Sequence, residues 1–200
     1  MAVRTITCTG EAVAPFLADL ARLRTTVFRD YPYLYEGSAD YESEYLTAYA
    51  RSPRSVFVLA LDGDIVVGAS TGIPLLDDQP AFQAPFREKA FRLEQVFYFG
   101  ESVLLRDYRG QGLGHHFFDE REAHARRLGG FALTAFCAVE RADDDPRKPT
   151  GYRPNDAFWT KRGYRRQDDL FCTLDWKELG DAAASPHLLR FWLRPLEAEH

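Results

Sequence analysis

The 200-residue sequence holds only three cysteines, Cys8, Cys137 and Cys172, far apart and each in an apolar or strand-like context. An odd, scattered set argues against a disulfide framework and against a thiolate metal site, and reads as reduced, buried thiols. Lysine is scarce: four of the 25 basic residues, the other 21 being arginine, a bias expected of a GC-rich bacterial genome. Long apolar runs are missing too. The longest, Val56 to Leu61, has six residues, where a membrane span needs about 20. The first residues, MAVRTITCTGE, lack the apolar stretch of a secretory signal, so a cytoplasmic location is expected. There is no basic surplus either. The net charge is −5, which gives no support to a nucleic-acid-binding face. Neither a nucleic acid nor a membrane is therefore an expected partner.

What is present is an ordinary soluble-domain composition, 46% hydrophobic and 28% charged. A chain of this length can bury a full core, and no repeat or linker divides it. One domain over residues 1–200 is expected. Strands are expected at 3–8, 55–61, 65–76, 95–105, 131–138, 169–176 and 187–194, from alternation and β-rich composition. Helices are expected at 11–29, at 38–50 with Ser38 as N-cap, at 85–91, at 112–128 and from Asn155 or Asp156 to Arg162. Asp62-Gly63-Asp64 reads as a hairpin turn, and residues 140–154 as a loop. Gly100 inside the 95–105 strand marks a bulge or a close backbone approach. The order is mixed α/β, with early antiparallel pairing and a parallel crossover through the 112–128 helix.

The informative stretch runs from Phe97 to Leu128. At its centre, Arg109-Gly110-Gln111-Gly112-Leu113-Gly114 opens a helix after a strand. Glycines there let a ligand approach the backbone closely. The free N–H groups and the dipole of the helix start then favour an anion, and Arg109 adds a guanidinium fork suited to phosphate oxygens. The P-loop pattern fails, because no Lys-Ser or Lys-Thr follows. The dinucleotide pattern G-x-G-x-x-G fails because the spacing here is G-x-G-x-G.

This loop resembles the acetyl-CoA-binding motif of the GNAT acyltransferase superfamily, Arg/Gln-x-x-Gly-x-Gly/Ala, with Arg109, Gly112 and Gly114 at its fixed positions. The lead-in from Glu101 to Gly110 resembles the family's E-L-x-V-x-P-x-Y-R-G pattern, with Arg106 in place of proline. Residues 157–164, AFWTKRGY, resemble its F-Y-x-K-x-G-F signature, with Trp159 at the tyrosine. The resemblance implies an α/β (α+β) fold: a mostly antiparallel sheet of six to seven strands with a central, splayed parallel pair and about four flanking helices. It also implies acetyl-CoA (acyl-CoA) as co-substrate and no metal. Val103, Leu104 and Leu105 would pair with the pantetheine arm opposite 131–138. Arg109, Gly110, Gln111, Gly112, Leu113, Gly114 and His115 would hold the pyrophosphate, and Trp159 would line the cofactor side. An N–H near Leu104 would polarise the thioester carbonyl.

The implied reaction is N-acetylation of a primary amine of a small-molecule or amino-acid-like acceptor, by direct transfer in a ternary complex. Glu101 stands where the family often has its base, and Phe97 and Phe99 are expected to desolvate it. Indole cannot protonate a thiolate, which leaves Tyr152, Tyr164 or water as the source of that proton; Tyr164 reads better as packing. A non-catalytic acyl-CoA-binding sensor or regulatory module is the alternative that Trp159 leaves open. Residues 30–50 hold six tyrosines, five acids and no Lys or Arg. Acid plus aromatic surface suits a cationic amine, which makes Tyr31, Tyr33, Tyr35 and Glu36 acceptor-site candidates. The loop 140–154 is the other expected wall. His115, His116 and His124 lack a shared helix face for a metal, with His116 and His124 expected at the surface. Phe117, Phe118 and Leu128 read as core. Family members often dimerise through their last strands, and residues 185–196 are apolar enough at an edge to allow it, while packing within one chain explains them equally well.

Overall fold

A computed structural model describes residues 3–197. The chain opens with β1 (Arg4–Thr9) and a 3-10 segment from Gly10 to Phe16, followed by α1 (Leu17–Phe28) and α2 (Ala39–Arg51). The hairpin β2 (Val56–Asp62) and β3 (Ile65–Pro74) precedes α3 (Pro80–Glu88), β4 (Val96–Tyr98) and β5 (Ser102–Leu104). Next come α4 (Leu113–Leu128), β6 (Leu133–Val139), α5 (Asp156–Lys161), β7 (Arg165–Trp176) and β8 (Ser185–Pro195). The sheet runs β1-β2-β3-β4-β6-β8-β7, with β5 also on β3. Every pairing is antiparallel except β4 with β6, which is parallel at Val96 to Tyr98 against Leu133 to Ala135.

Helices cover both faces. Along β2, Phe57, Leu59 and Leu61 pack into a core with Leu20 and Leu23 of α1 and Leu46 of α2. Val56, Val58 and Ala60 pack oppositely, with Phe117 and Phe118 of α4. The period of two along a strand delivers alternate residues to the two cores, so a strand covered on both faces is apolar throughout. Among the described residues no helix is long and apolar enough to cross a membrane.

Several boundaries move, for identifiable reasons. The 11–29 helix starts as 3-10, with Pro15 inside that segment. A proline there has no N–H to give and crowds the carbonyl four residues back, so α geometry begins only at Leu17. Helix α3 starts at Pro80, which takes the first helical position, earlier than the 85–91 expected from Pro85. Ser38 caps α2 by accepting from the Tyr41 N–H at 3.2 Å. Among the described residues the sheet has eight strands, because 95–105 is divided at Gly100. Residues 185–196 do not form an edge: β8 lies between β6 and β7. Its apolar side chains are consumed by the core, and β7 ends the sheet. Leu128, the last residue of α4, is exposed rather than core. His124 is buried, bonding the Arg54 carbonyl at 3.0 Å, and burial lowers its pKa. His116 is half-buried against the Thr5 hydroxyl at 2.8 Å.

Candidate active site

The glycine loop has the geometry of an anion cradle. Gly110 and Gly112 take φ of +77° and +84°. A Cβ at either position would meet nothing within 4 Å, so backbone conformation, not space, requires glycine there. The Arg109 N–H bonds the Arg106 carbonyl, and the His115 N–H folds back on Gly112 O at 3.0 Å. Between them the amides of residues 110–114 have no backbone partner among the described residues. They stand at the positive end of a 16-residue helix, an arrangement that fits a pyrophosphate. Arg109 reaches back to the Leu104 carbonyl (3.1 Å) and towards Asp30 (3.6 Å), and Arg106 pairs with Asp30 at 3.2 Å. A cleft of about 330 Å³ lies here, between Thr26, Val27 and Asp30 of one wall and Leu105, Arg106 and Arg109 of the other.

The loop adjoins a gap in the sheet, and Gly100 makes it. Phe99 still donates to Ala135 O of β6 at 2.8 Å. One residue on, the Gly100 N–H turns to Thr71 O of β3 (3.2 Å), and Glu101 O accepts from Thr71 N (3.0 Å). Thereafter β5 pairs only with β3, while β6 continues alone on that side. A Cβ on Gly100 would sit 2.6 Å from the Tyr49 hydroxyl and 2.7 Å from that of Thr71, so no other residue fits unmoved. Because Leu105 donates to Val67 O of β3 at 2.9 Å, alternation aims the N–H and C=O of Leu104 into the gap. The gap thus offers backbone groups to an extended ligand between β5 and β6.

At the mouth of the gap lies a buried charge cluster. Arg24 of α1 pairs with both Glu42 of α2 and Glu101. Its guanidinium lies 4.3 Å from the Tyr45 ring centroid and 5.0 Å from that of Phe28. Burial disfavours its charge, but Glu101, Tyr45 and Glu42 outweigh that and raise its pKa. Removing one member of such a buried set typically costs about 3–5 kcal/mol. Tyr45 donates to Glu101 Oε2 at 3.3 Å, the same oxygen that Arg24 holds. The pinned Oε2 leaves Oε1 without a protein partner among the described residues. Phe97 and Phe99 do not desolvate Glu101; they pack beneath α4. The switch at Gly100 breaks the alternation that would have put all three on one face, and Tyr45 and Arg24 bury the carboxylate instead.

Arg121 of α4, with 1% of its surface exposed, ties this cluster to the glycine loop's helix. It donates to Thr71 O (3.2 Å), Glu101 O (3.1 Å) and Ser102 Oγ (2.9 Å). It lies over Phe99 and Phe118, and burial brings its pKa down to about 10.

The remaining candidates divide. Tyr33 lies close enough to Arg24, Glu101, Cys137 and Tyr152 to feel each, and burial raises its pKa. Tyr31 and Tyr152 meet edge to face, centroids 4.7 Å apart, so loop 140–154 does reach the 30–37 segment. Burial raises the Tyr152 pKa. Glu178 holds this cover down through ion pairs with Arg141 and Arg147, and Arg141 also donates to Pro32 O (2.6 Å) and Tyr33 O (3.1 Å). Tyr35 bridges to Glu178 and sits beside Glu42. Glu36 points away, exposed and paired with Lys177 at 3.1 Å. Trp159 packs on Phe136 and Trp192 at 4.9 and 5.2 Å. His115 receives Arg162 at 3.3 Å. Tyr164 is buried packing, bonded to Thr134 and Glu122.

Sequence reasoning missed Arg24, Glu42 and Tyr45 as one unit. Arg24 did leave a signal, a charge four residues from both Leu20 and Phe28 on the apolar stripe of its helix.

A family model described as the acetyltransferase (GNAT) family matches residues 20–164. No curated protein matches the chain. Solved structures similar to it include an N-acetyltransferase from Staphylococcus aureus, 12% identical, with 97% of this chain and 99% of that one covered at a TM-score of 0.60. A ribosomal-protein-alanine N-acetyltransferase from Brucella melitensis is 14% identical, with 98% and 99% covered and a TM-score of 0.59. The yncA protein of Salmonella typhimurium, solved with its cofactor acetyl-CoA, is 10% identical, with 98% and 96% covered and a TM-score of 0.60.

Proposed function

Because this chain belongs to the GNAT acetyltransferase family, we propose that it moves the acetyl group of acetyl-CoA to the primary amine of a small-molecule or amino-acid-like acceptor, directly, within a ternary complex. The observation that carries the reading is the junction of three features: the free amides of residues 110–114, the gap between β5 and β6, and Glu101 at its mouth. The amides hold the pyrophosphate and the Leu104 N–H faces the thioester carbonyl, where a fixed donor stabilises developing oxyanion charge. Glu101 Oε1 takes the proton of the attacking amine, directly or through one water. Arg24 and Tyr45 fix the other oxygen, so that the carboxylate presents a single lone-pair direction. Tyr152 supplies the proton of the leaving thiolate. Tyr31 and Tyr33, with the buried acids, make the acceptor side suited to a cationic amine by charge and by ring faces.

The test is release of free thiol from acetyl-CoA across a panel of polyamines, aminoglycosides, amino acids and short peptides. At least one cationic amine is expected to drive release, and Glu101→Gln to slow it by about 10²-fold or more with acetyl-CoA affinity unchanged. Binding without thiol release for any amine would instead mark a binding module.

A further inference from the structure

Beneath the cluster a line of buried hydroxyls leads away from Glu101. Tyr45, which donates to Glu101 Oε2 at 3.3 Å, packs against Tyr49 one helical turn on, their rings tilted and their centroids 4.9 Å apart. The Tyr49 hydroxyl is a near neighbour of the Tyr45 hydroxyl and donates to Asp78 Oδ2 at 2.6 Å. Asp78 sits at the start of α3, where Oδ1 accepts from the Gln79 N–H at 2.7 Å. No arginine or lysine pairs with it among the described residues. The backbone enforces the line: Gly100 lets the chain pass against the Tyr49 hydroxyl, where a Cβ would clash.

Acyl transfer from a thioester to an ammonium acceptor has a surplus proton. The C–N bond forms and the C–S bond breaks. The ammonium nitrogen sheds two protons: one replaces the proton that Tyr152 gives the thiolate, and the second is surplus. Glu101 can receive it but must lose it before the next turnover, and Arg24 has none to exchange. We propose that Tyr45, Tyr49 and Asp78 form a relay that carries this proton out of the site. Once the Tyr45 hydroxyl turns its hydrogen from Glu101 Oε2 towards Tyr49, the proton taken on Oε1 moves to Oε2 and passes to the Tyr45 oxygen, Tyr45 passes its own to Tyr49, and Tyr49 passes its own to Asp78. Glu101 is restored as carboxylate, both tyrosines stay neutral, and Asp78 holds the proton until it releases it to solvent through the 8% of its surface that is exposed. Asp78 is a positioning residue for the proton, acting through the two hydroxyls. This rests on the acyl-transfer reading above.

The surroundings suit a proton-holding carboxyl. Burial lifts its pKa to about 6, against the bonds from Tyr49 and Gln79, and the Glu101 charge adds to the rise. Tyr49 faces Asp78 from α2, Tyr98 from β4 and Cys137 from β6. On its own segment Asp77 is engaged by Ser52 and Arg54, and the Gln83 amide is bonded to the Asp78 carbonyl at 2.7 Å.

The test uses the full chain, acetyl-CoA and the best amine from the thiol-release panel. Asp78→Asn and Tyr49→Phe are each expected to lower kcat about tenfold or more, with the calorimetric Kd for acetyl-CoA unchanged. The wild-type kcat profile should rise through about pH 6 as Asp78 ionises, and Asp78→Asn should abolish that limb. Wild-type kcat and an intact limb in both variants would overturn the relay. So would a loss in Asp78→Asn with Tyr49→Phe at the wild-type rate, since the route runs through that hydroxyl. No thiol release from the wild type with any amine would overturn the acyl-transfer reading itself, and the relay with it.

Discussion

At the scale of single residues, the molecule keeps charge inside its core where it is expensive. Asp78 is the clearest case. Its carboxyl titrates near 6 when folded, against an ordinary 3.8. Below about pH 4 both folded and unfolded chains hold the proton. As the pH rises towards 6, the unfolded chain gives it up first, so stability is lost across that window and stays lost above it. Asparagine mimics the protonated carboxyl and removes the effect. Asp78→Asn is therefore expected to be more stable than the wild type at pH 8, by about 3 kcal/mol for a shift of this size, with the gain fading below pH 4. Urea denaturation at the two pH values checks it. An equal or lower stability at pH 8 would show that the carboxylate is not strained there. A gain in stability with a loss in rate is the trade expected of a site built for chemistry.

At the scale of elements, the decisive feature is the division of one strand into two. The sequence identifies 95–105 as a strand and Gly100 as its irregular point. It does not say that the irregularity changes the partner strand, because that depends on which neighbours β3 and β6 present. The same limit explains Glu101. Alternation puts it on the face of Phe97 and Phe99, and only the turn at Gly100 brings it to Arg24. Propensity reads these elements well where capping residues announce them, as at Ser38, and less well where a proline can begin a helix or spoil one, as at Pro15, Pro80 and Pro85. Gly100→Ala tests the element directly. Its methyl would sit 2.6 Å from the Tyr49 hydroxyl, so Tyr49 or β5 must move. The expected cost is about 1–3 kcal/mol in chemical denaturation, together with a loss of thiol-release rate. A neutral substitution would mean that the gap does not depend on this close approach.

At the scale of the whole molecule, the family and the glycine loop are legible in the sequence because a local pattern encodes a local structure. Arg109 to Gly114 are contiguous, and positive φ at Gly110 and Gly112 is a property of those residues alone. The acceptor side is different. Arg24, Glu42, Asp78 and Glu101 come from four separate segments, and Glu178 holds down cover segments more than 100 residues apart in the chain. No spacing rule joins such residues; only the assembled sheet does. Composition pointed to 30–50, and the structure brings Tyr33 beside the cluster while sending Glu36 outward to Lys177. The sheet edge shows the same limit, since the apolar 185–196 segment proved to be an interior strand.

The central claim is that the α4 start holds the pyrophosphate of acetyl-CoA. Isothermal titration calorimetry with acetyl-CoA, on the wild type and on Gly112→Glu, tests it most directly. The account predicts micromolar binding by the wild type. In the variant a carboxylate side chain is forced onto a backbone φ of +84° and repels the phosphates from the exposed amides, so binding should weaken about a hundredfold or more, roughly 3 kcal/mol. No heat of binding in the wild type, or an unchanged Kd in a folded Gly112→Glu, would contradict it.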